Sequence, residues 1–169
     1  MSSKVVGGVD GNSLRLTTKL AATVDEVWAT LTEHELLARW LAVPSWELIP
    51  GSRLQLKFEN TGHVNQGRIV QVQEPVLLEY TWEFPDGEET LVRWELHAEP
   101  DGCQLVLIHS LPPCADRANL LAGWHTHLEG VPQALAGHYV DFPWGRWEEL
   151  HRMYAQQEAV TESSQARKP

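Results

Sequence analysis

From Gly51 to His109 the chain alternates apolar and polar residues, and short turns cut the alternation into pieces of strand length. Two of those turns are Asp-Gly pairs, Asp86-Gly87 and Asp101-Gly102, and hairpins this tight force the strands they join to be antiparallel neighbours. Leu54, Leu56 and Phe58 alternate with Arg53, Gln55, Lys57 and Glu59 before the turn Asn60-Thr61-Gly62. Leu78, Tyr80 and Trp82 share one face of a later strand, Val92, Trp94 and Leu96 one face of the next, and Leu105, Leu107 and His109 one face of the last. Between them, His63 to Gln73 is a strand whose inward side Ile69, Val70 and Val72 leave unassigned. Such a meander has a wet face and a dry face, and the dry face needs a cover.

The cover follows at once. From Asp116 to about Ala136, Leu120, Leu121, Trp124, Leu128, Val131 and Leu135 recur at three- and four-residue steps, which is one stripe of an α-helix. Gly130 and Pro132 fall inside this stripe, and a proline cannot donate to the carbonyl of Leu128, so a kink or break is expected there.

Ahead of the meander, Leu14, Leu16, Thr18 and Leu20 alternate with polar residues as strand one. Thr23 with Glu26 reads as a capping box starting a helix at Val24. A second short helix is expected from Glu33 to Trp40, stopped by Pro44. After the long helix, Asp141-Phe142-Pro143 opens another amphipathic helix carrying Trp144, Trp147, Leu150, His151 and Tyr154. A helix of that length is marginal alone in water, so its tryptophan face must dock on this domain or on a second copy, and a homodimer through Trp144 and Trp147 is the favoured expectation.

The expected fold is therefore α+β: a curved antiparallel sheet of about six strands wrapped around a long C-terminal helix, with two short helices after strand one and an extra C-terminal helix. Residues 1–12 read as a loose lead-in, 13–154 as one domain with its C-terminal helix at 141–154, and 155–169 as a polar, disordered tail.

A net charge of −10 leaves no basic face to neutralise phosphates, so a nucleic-acid partner is not expected. Cys103 and Cys114 make neither a disulfide framework nor a zinc spacing, which fits free thiols in a reducing compartment. No stretch has the apolar length of a membrane span or a leader, and a cytoplasmic protein without a membrane partner is expected.

Several of these residues and segments resemble a known superfamily. Val24-Asp25-Glu26-Val27-Trp28, Ala38-Arg39-Trp40, Tyr80-Thr81-Trp82, Ile108-His109-Ser110 and Gly123-Trp124-His125, in that order, are similar to START-like (SRPBCC) proteins. More narrowly they resemble bacterial homologues of the activator of the heat-shock-protein ATPase. The resemblance spans roughly residues 13 to 154 and implies a helix-grip domain with a deep cavity between sheet and long helix. Across the superfamily that cavity holds lipids, polyketides or other hydrophobic molecules; some relatives are cyclases and one is a co-chaperone. The superfamily shares no catalytic motif, so no catalytic residue carries over.

The candidate site is therefore a ligand cavity lined by Trp40, Phe58, Tyr80, Trp82, Trp94 and Trp124, with Leu128 on the helix stripe and His109 and His127 as its polar end. Each ring is also ordinary core material, and each histidine could be an interior group satisfied by backbone or water. His125 and His127 point about 200° apart on a helix, so they do not share a metal, and neither metal nor cofactor is expected. The expected function is binding of a small hydrophobic or aromatic molecule. A cyclase- or hydrolase-like enzyme using His109 or His127 and a co-chaperone-like interaction domain are the alternatives.

Overall fold

The structure is a computed structural model and describes residues 4–111 and 116–166; Cys114 lies outside the described residues. Eight strands form one antiparallel sheet, where about six were expected. In chain order they are β1 (Val6–Asp10), β2 (Ser13–Leu20), β3 (Val43–Ser45), β4 (Arg53–Lys57), β5 (Val64–Gln73), β6 (Leu77–Glu83), β7 (Glu89–Glu99) and β8 (Gly102–Ser110). In space they run β1-β2-β8-β7-β6-β5-β4-β3, so β1 and β3 are free edges and the curved sheet does not close.

Both additional strands are those edges. β1 lies in the expected lead-in and pairs with β2 from Val6 opposite Thr17 to Asp10 opposite Ser13. Its sequence has no alternating apolar pattern, because backbone pairing to a well-buried neighbour holds it in place. β3 contains Pro44, which read as a helix stop; on an edge strand the missing N–H costs no ladder bond.

β5 explains its own ambiguity. Asn65 and Ile69 face inward before a bulge at Ile69–Gln71, after which the half-buried side shifts to Val72. Gly67 lies two residues before the bulge; a Cβ there would run into the carbonyl oxygen of Thr81, and the Thr81 hydroxyl accepts the neighbouring Arg68 N–H at 2.9 Å. No side chain fits there.

The helices support and cover this sheet. α1 (Val24–Thr32) begins with the expected capping box: Thr23 accepts the Glu26 N–H at 3.2 Å and the Glu26 carboxylate accepts the Thr23 N–H at 2.8 Å. α2 is shorter than expected, spanning His34–Leu37 before the chain turns. α3 (Arg117–Glu129) is capped by Asp116, ends where Gly130 and Pro132 forbid continuation, and resumes as α4 (Val131–Leu135). The expected break is there.

α3 does not present a single buried stripe. Leu121, Trp124 and Leu128 are buried, and so are Ala118, Ala122, His125 and Thr126 on its other side. The reason is α5 (Trp144–Ala166), which packs along α3 and buries Leu150 and Tyr154. The C-terminal helix thus docks on its own domain through Leu150 and Tyr154. It also runs beyond Tyr154 to Ala166, through much of what was expected to be a disordered tail. Ala155, Gln156, Gln157, Glu158 and Ala159 are good helix formers, so a helix anchored upstream propagates through them although they bury little. Among the described residues no helix is long and apolar enough to cross a membrane.

Candidate functional site

The deep interior between sheet and α3 is filled by interlocking rings. Trp94 is fully enclosed, its indole N–H donating to the Tyr80 hydroxyl at 3.1 Å. Its ring meets Trp40 edge-on at 6.0 Å and Trp124 at 5.8 Å. Trp40 donates to the Thr30 carbonyl at 3.0 Å. Burial raises the Tyr80 phenol well above its usual range, with the Trp94 hydrogen bond opposing. Tyr80, Trp94 and Leu128 are core packing and line neither cleft described below; Trp40 borders the smaller one.

His109 sits one layer behind the cleft wall, bonded to the Trp124 indole and, through Thr90, to the main chain of Trp82, whose ring it also packs against at 5.5 Å. Trp124 Nε1–H donates to His109 Nδ1 at 3.1 Å, so Nδ1 carries the lone pair and Nε2 carries the proton. That Nε2–H donates to Thr90 Oγ1 at 2.9 Å, and Thr90 in turn donates to the Trp82 carbonyl at 3.1 Å. The relay has one consistent direction, which requires neutral His109. Its ring is fully buried among Trp82, Trp124 and Phe84, and that desolvation pushes its pKa down to about 3.

The hollow lies at the mouth of the grip, not in its depth. A cleft of about 310 Å³ opens where Phe58 and Trp82 of the sheet face Leu120, Gly123, Trp124 and His127 of α3. Phe142, Trp144 and Trp147, at the start of α5, cover it from the third side. The rim is polar: Asn60, Thr61 and His63 of the β4–β5 turn, and Asn119. No Lys, Arg, Asp or Glu lines this cleft. The volume falls at the low end of the roughly 300–1,000 Å³ typical of small-molecule sites.

The cover is an aromatic row. His127 meets Phe142 at 4.8 Å, Phe142 meets Trp144 at 4.6 Å, Trp144 meets Trp147 at 5.9 Å, and Trp147 stacks on His151 at 4.9 Å. Trp144 is nevertheless 46% exposed, so the row roofs the cleft without sealing it. The approach to α5 is pinned where the Val140 N–H donates to the Arg39 carbonyl at 2.8 Å. Behind Phe142 and Trp144 a second cleft of about 250 Å³, bordered by Trp40, Arg39, Glu59 and Asp141, shares His127 with the first.

Gly123 is the least expected lining residue. It is in the interior of α3, where glycine costs about 1 kcal/mol relative to alanine. Yet a Cβ at this position would meet nothing within 4 Å. Packing does not require the glycine; the open space beside it is the cleft.

His127 stands between the two clefts. Its Nδ1 lies 3.1 Å from the Trp40 carbonyl, which can only accept, so Nδ1 holds the proton. Burial lowers its pKa to about 4, against the raising effect of that carbonyl. Of the residues expected at the site, Phe58, Trp82, Trp124 and His127 come together at this cleft, while His109 positions two of them. Sequence reasoning missed Leu120, Gly123, Phe142 and the turn at Asn60 as site residues, and assigned Trp144 and Trp147 to a dimer contact. The signal that pointed to them was the tryptophan-rich face after Pro143, in a chain with little left to cover.

A different polar cluster joins α3, α5 and β1. Glu129 accepts three bonds from Arg146, the shortest at 2.7 Å, and its carboxylate lies 3.2 Å from His125 Nε2; Tyr154 then donates to His125 Nδ1 at 2.6 Å. Burial opposes ionisation of Glu129, but Arg146 and then His125 hold its carboxyl below the usual range. Gly7 of β1 leaves room for the Tyr154 hydroxyl. These groups tie α5 down. Among the described residues no three His, Cys, Asp or Glu side chains come close enough to hold a metal ion.

An unclosed antiparallel sheet gripping a late helix, with an aromatic cleft at its mouth, defines a START-like helix-grip protein. The sequence matches the family described as Activator of Hsp90 ATPase homolog 1-like protein over residues 21–136, and the chain belongs to that family. Among solved structures, the protein encoded by gene BPP1335 of Bordetella parapertussis is 28% identical, with a TM-score of 0.74 over 92% of this chain and 91% of that one. CalU16 from Micromonospora echinospora is 21% identical, with a TM-score of 0.71 over 91% of this chain and 95% of that one. DynU16, a protein of the dynemicin biosynthetic locus, is 25% identical, with a TM-score of 0.71 over 77% of this chain; the match spans 49% of DynU16. None of the curated proteins compared with the sequence matches it.

Proposed function

We propose that this protein binds a small, flat, uncharged aromatic molecule in the cleft between Trp82, Trp124 and the start of α5. The observation that carries the reading is Gly123, a helix-interior glycine that nothing in the fold requires, opening onto a cleft walled by rings and free of charged side chains. The family fold and the location of DynU16 in a biosynthetic locus agree with a small-molecule ligand.

Acid–base catalysis is the weaker reading. His109 has both ring nitrogens committed, and His127, held near pKa 4, is a poor base at neutral pH. A co-chaperone role rests on the family's description alone and ranks below ligand binding.

Titration with 2-methoxynaphthalene, followed by tryptophan fluorescence and by thermal melting, tests the proposal. Saturable one-to-one binding is expected, and a hundredfold excess over Kd stabilises by about 2.7 kcal/mol, a rise of roughly 5–10 °C for a domain of this size. Gly123→Leu, which places a side chain in the cleft, should abolish binding while the protein stays folded. Binding that survives Gly123→Leu would put the ligand elsewhere.

A further inference from the structure

The cleft contains one feature that an apolar ligand alone would leave unused. His127 Nδ1 carries the ring proton because its partner, the Trp40 carbonyl, can only accept. In the neutral ring the lone pair therefore sits on Nε2. Nε2 has no hydrogen-bond partner among the described residues, yet it is not sealed away in the core, and its ring borders the cleft. The burial that lowers the pKa of His127 keeps this acceptor unprotonated at neutral pH.

The indole N–H groups of Trp82, Trp144 and Trp147 in the wall can only donate, so they do not rival Nε2 as an acceptor. Trp124 spends its N–H on His109 and offers the cleft only carbon. Thr61, His63 and Asn119 are exposed on the rim, and Asn60 is half-buried there. At Gly123 a ring can lie directly against the helix backbone, one turn from His127.

Resting on the pocket reading above, we propose that the cleft selects aromatic molecules bearing a hydroxyl group, with the ring seated over Gly123 and the O–H donated to His127 Nε2. An ether or bare hydrocarbon of the same shape strips water from Nε2 without replacing it, and an unpaired buried acceptor weakens binding about tenfold or more. A carboxylate is disfavoured twice: it brings an acceptor to an acceptor, and no cationic side chain lines the cleft.

The test compares 2-naphthol, 2-methoxynaphthalene and 2-naphthoate by fluorescence titration of the wild-type protein and of His127→Asn. The asparagine amide can still donate to the Trp40 carbonyl but has no counterpart of Nε2. Wild type should prefer the naphthol to its methyl ether at least tenfold and bind the naphthoate most weakly, and in His127→Asn the first preference should shrink to within about twofold. A readout independent of the variant is the ¹⁵N resonance of His127 Nε2 in wild type, which should move upfield with 2-naphthol and not with the ether. Equal binding of naphthol and ether by wild type, a preference unchanged in His127→Asn, or an unmoved Nε2 resonance overturns the hydroxyl assignment while leaving the pocket in place. Failure of all three probes to bind overturns both.

Discussion

Mild acid should unfold this protein early, through two buried histidines. His109 and His127 have their pKa values depressed to about 3 and about 4, while in the unfolded chain each sits near 6.5. Between those limits the unfolded state binds more protons than the native state, so stability is full above about pH 6.5 and falls as the pH drops. At pH 4.5, two units below the unfolded value, each histidine has removed about 2.7 kcal/mol, at 1.36 kcal/mol per unit. Together that is about 5 kcal/mol, comparable to the whole stability of a marginal domain at roughly 5–15 kcal/mol. The buried His125 shifts in the same direction. The contribution of Glu95, held down first by its Arg93 hydrogen bond, and of Glu129 is lost from the usual carboxylate value downward, at the acid end of this window and beyond it. Urea unfolding at several pH values between about 7 and 4.5 measures the slope directly. His109→Gln, whose amide can still accept from Trp124 and donate to Thr90, should lower the acid loss by about 2.7 kcal/mol. Stability that stays flat over this range, or a His109 whose ¹⁵N shifts titrate near 6.5, would refute the directional relay from Trp124 through His109 to Thr90.

Two further outcomes follow from the geometry. Gly123→Ala should raise stability by about 0.5–1 kcal/mol, a gain of a few degrees in Tm, while weakening the 2-naphthol complex; a destabilised variant would mean that the space beside Gly123 is not open. Tyr154→Phe should cost about 1–2 kcal/mol in urea unfolding, because His125 Nδ1 loses its buried donor; an unchanged midpoint would show that apolar contact alone docks α5 on α3.

What could be read from the sequence divides along a physical line. Alternation located β2, β4, β6, β7 and β8, because each has a dry face and period two carries that information directly. The break at Gly130–Pro132 and the capping box at Thr23 were equally legible, since each depends on the backbone chemistry of one or two residues. β1 and β3 were not, because edge strands held by backbone pairing need no pattern of their own. The face of β5 stayed hidden because a bulge between Ile69 and Gln71 shifts the inward side midway, and the pairing register that produces it is set by the partner strand.

The site shows the same division more sharply. Ring-rich faces identified which residues meet, and Phe58, Trp82, Trp124 and His127 do meet; pattern alone could not say whether those faces close on each other or stand apart. In the depth of the grip they close, since Trp40, Tyr80 and Trp94 are wide enough to fill the space between sheet and helix. At the mouth they stand apart, because the residue of α3 facing outward there is Gly123 and the cover comes from α5, far along the chain. Emptiness in a fold is made by the residue that is small where its neighbours are large, and a hydrophobicity pattern counts only what is present. For this protein that moves the binding question from the buried tryptophans to a single missing side chain and the unpaired nitrogen one turn beyond it.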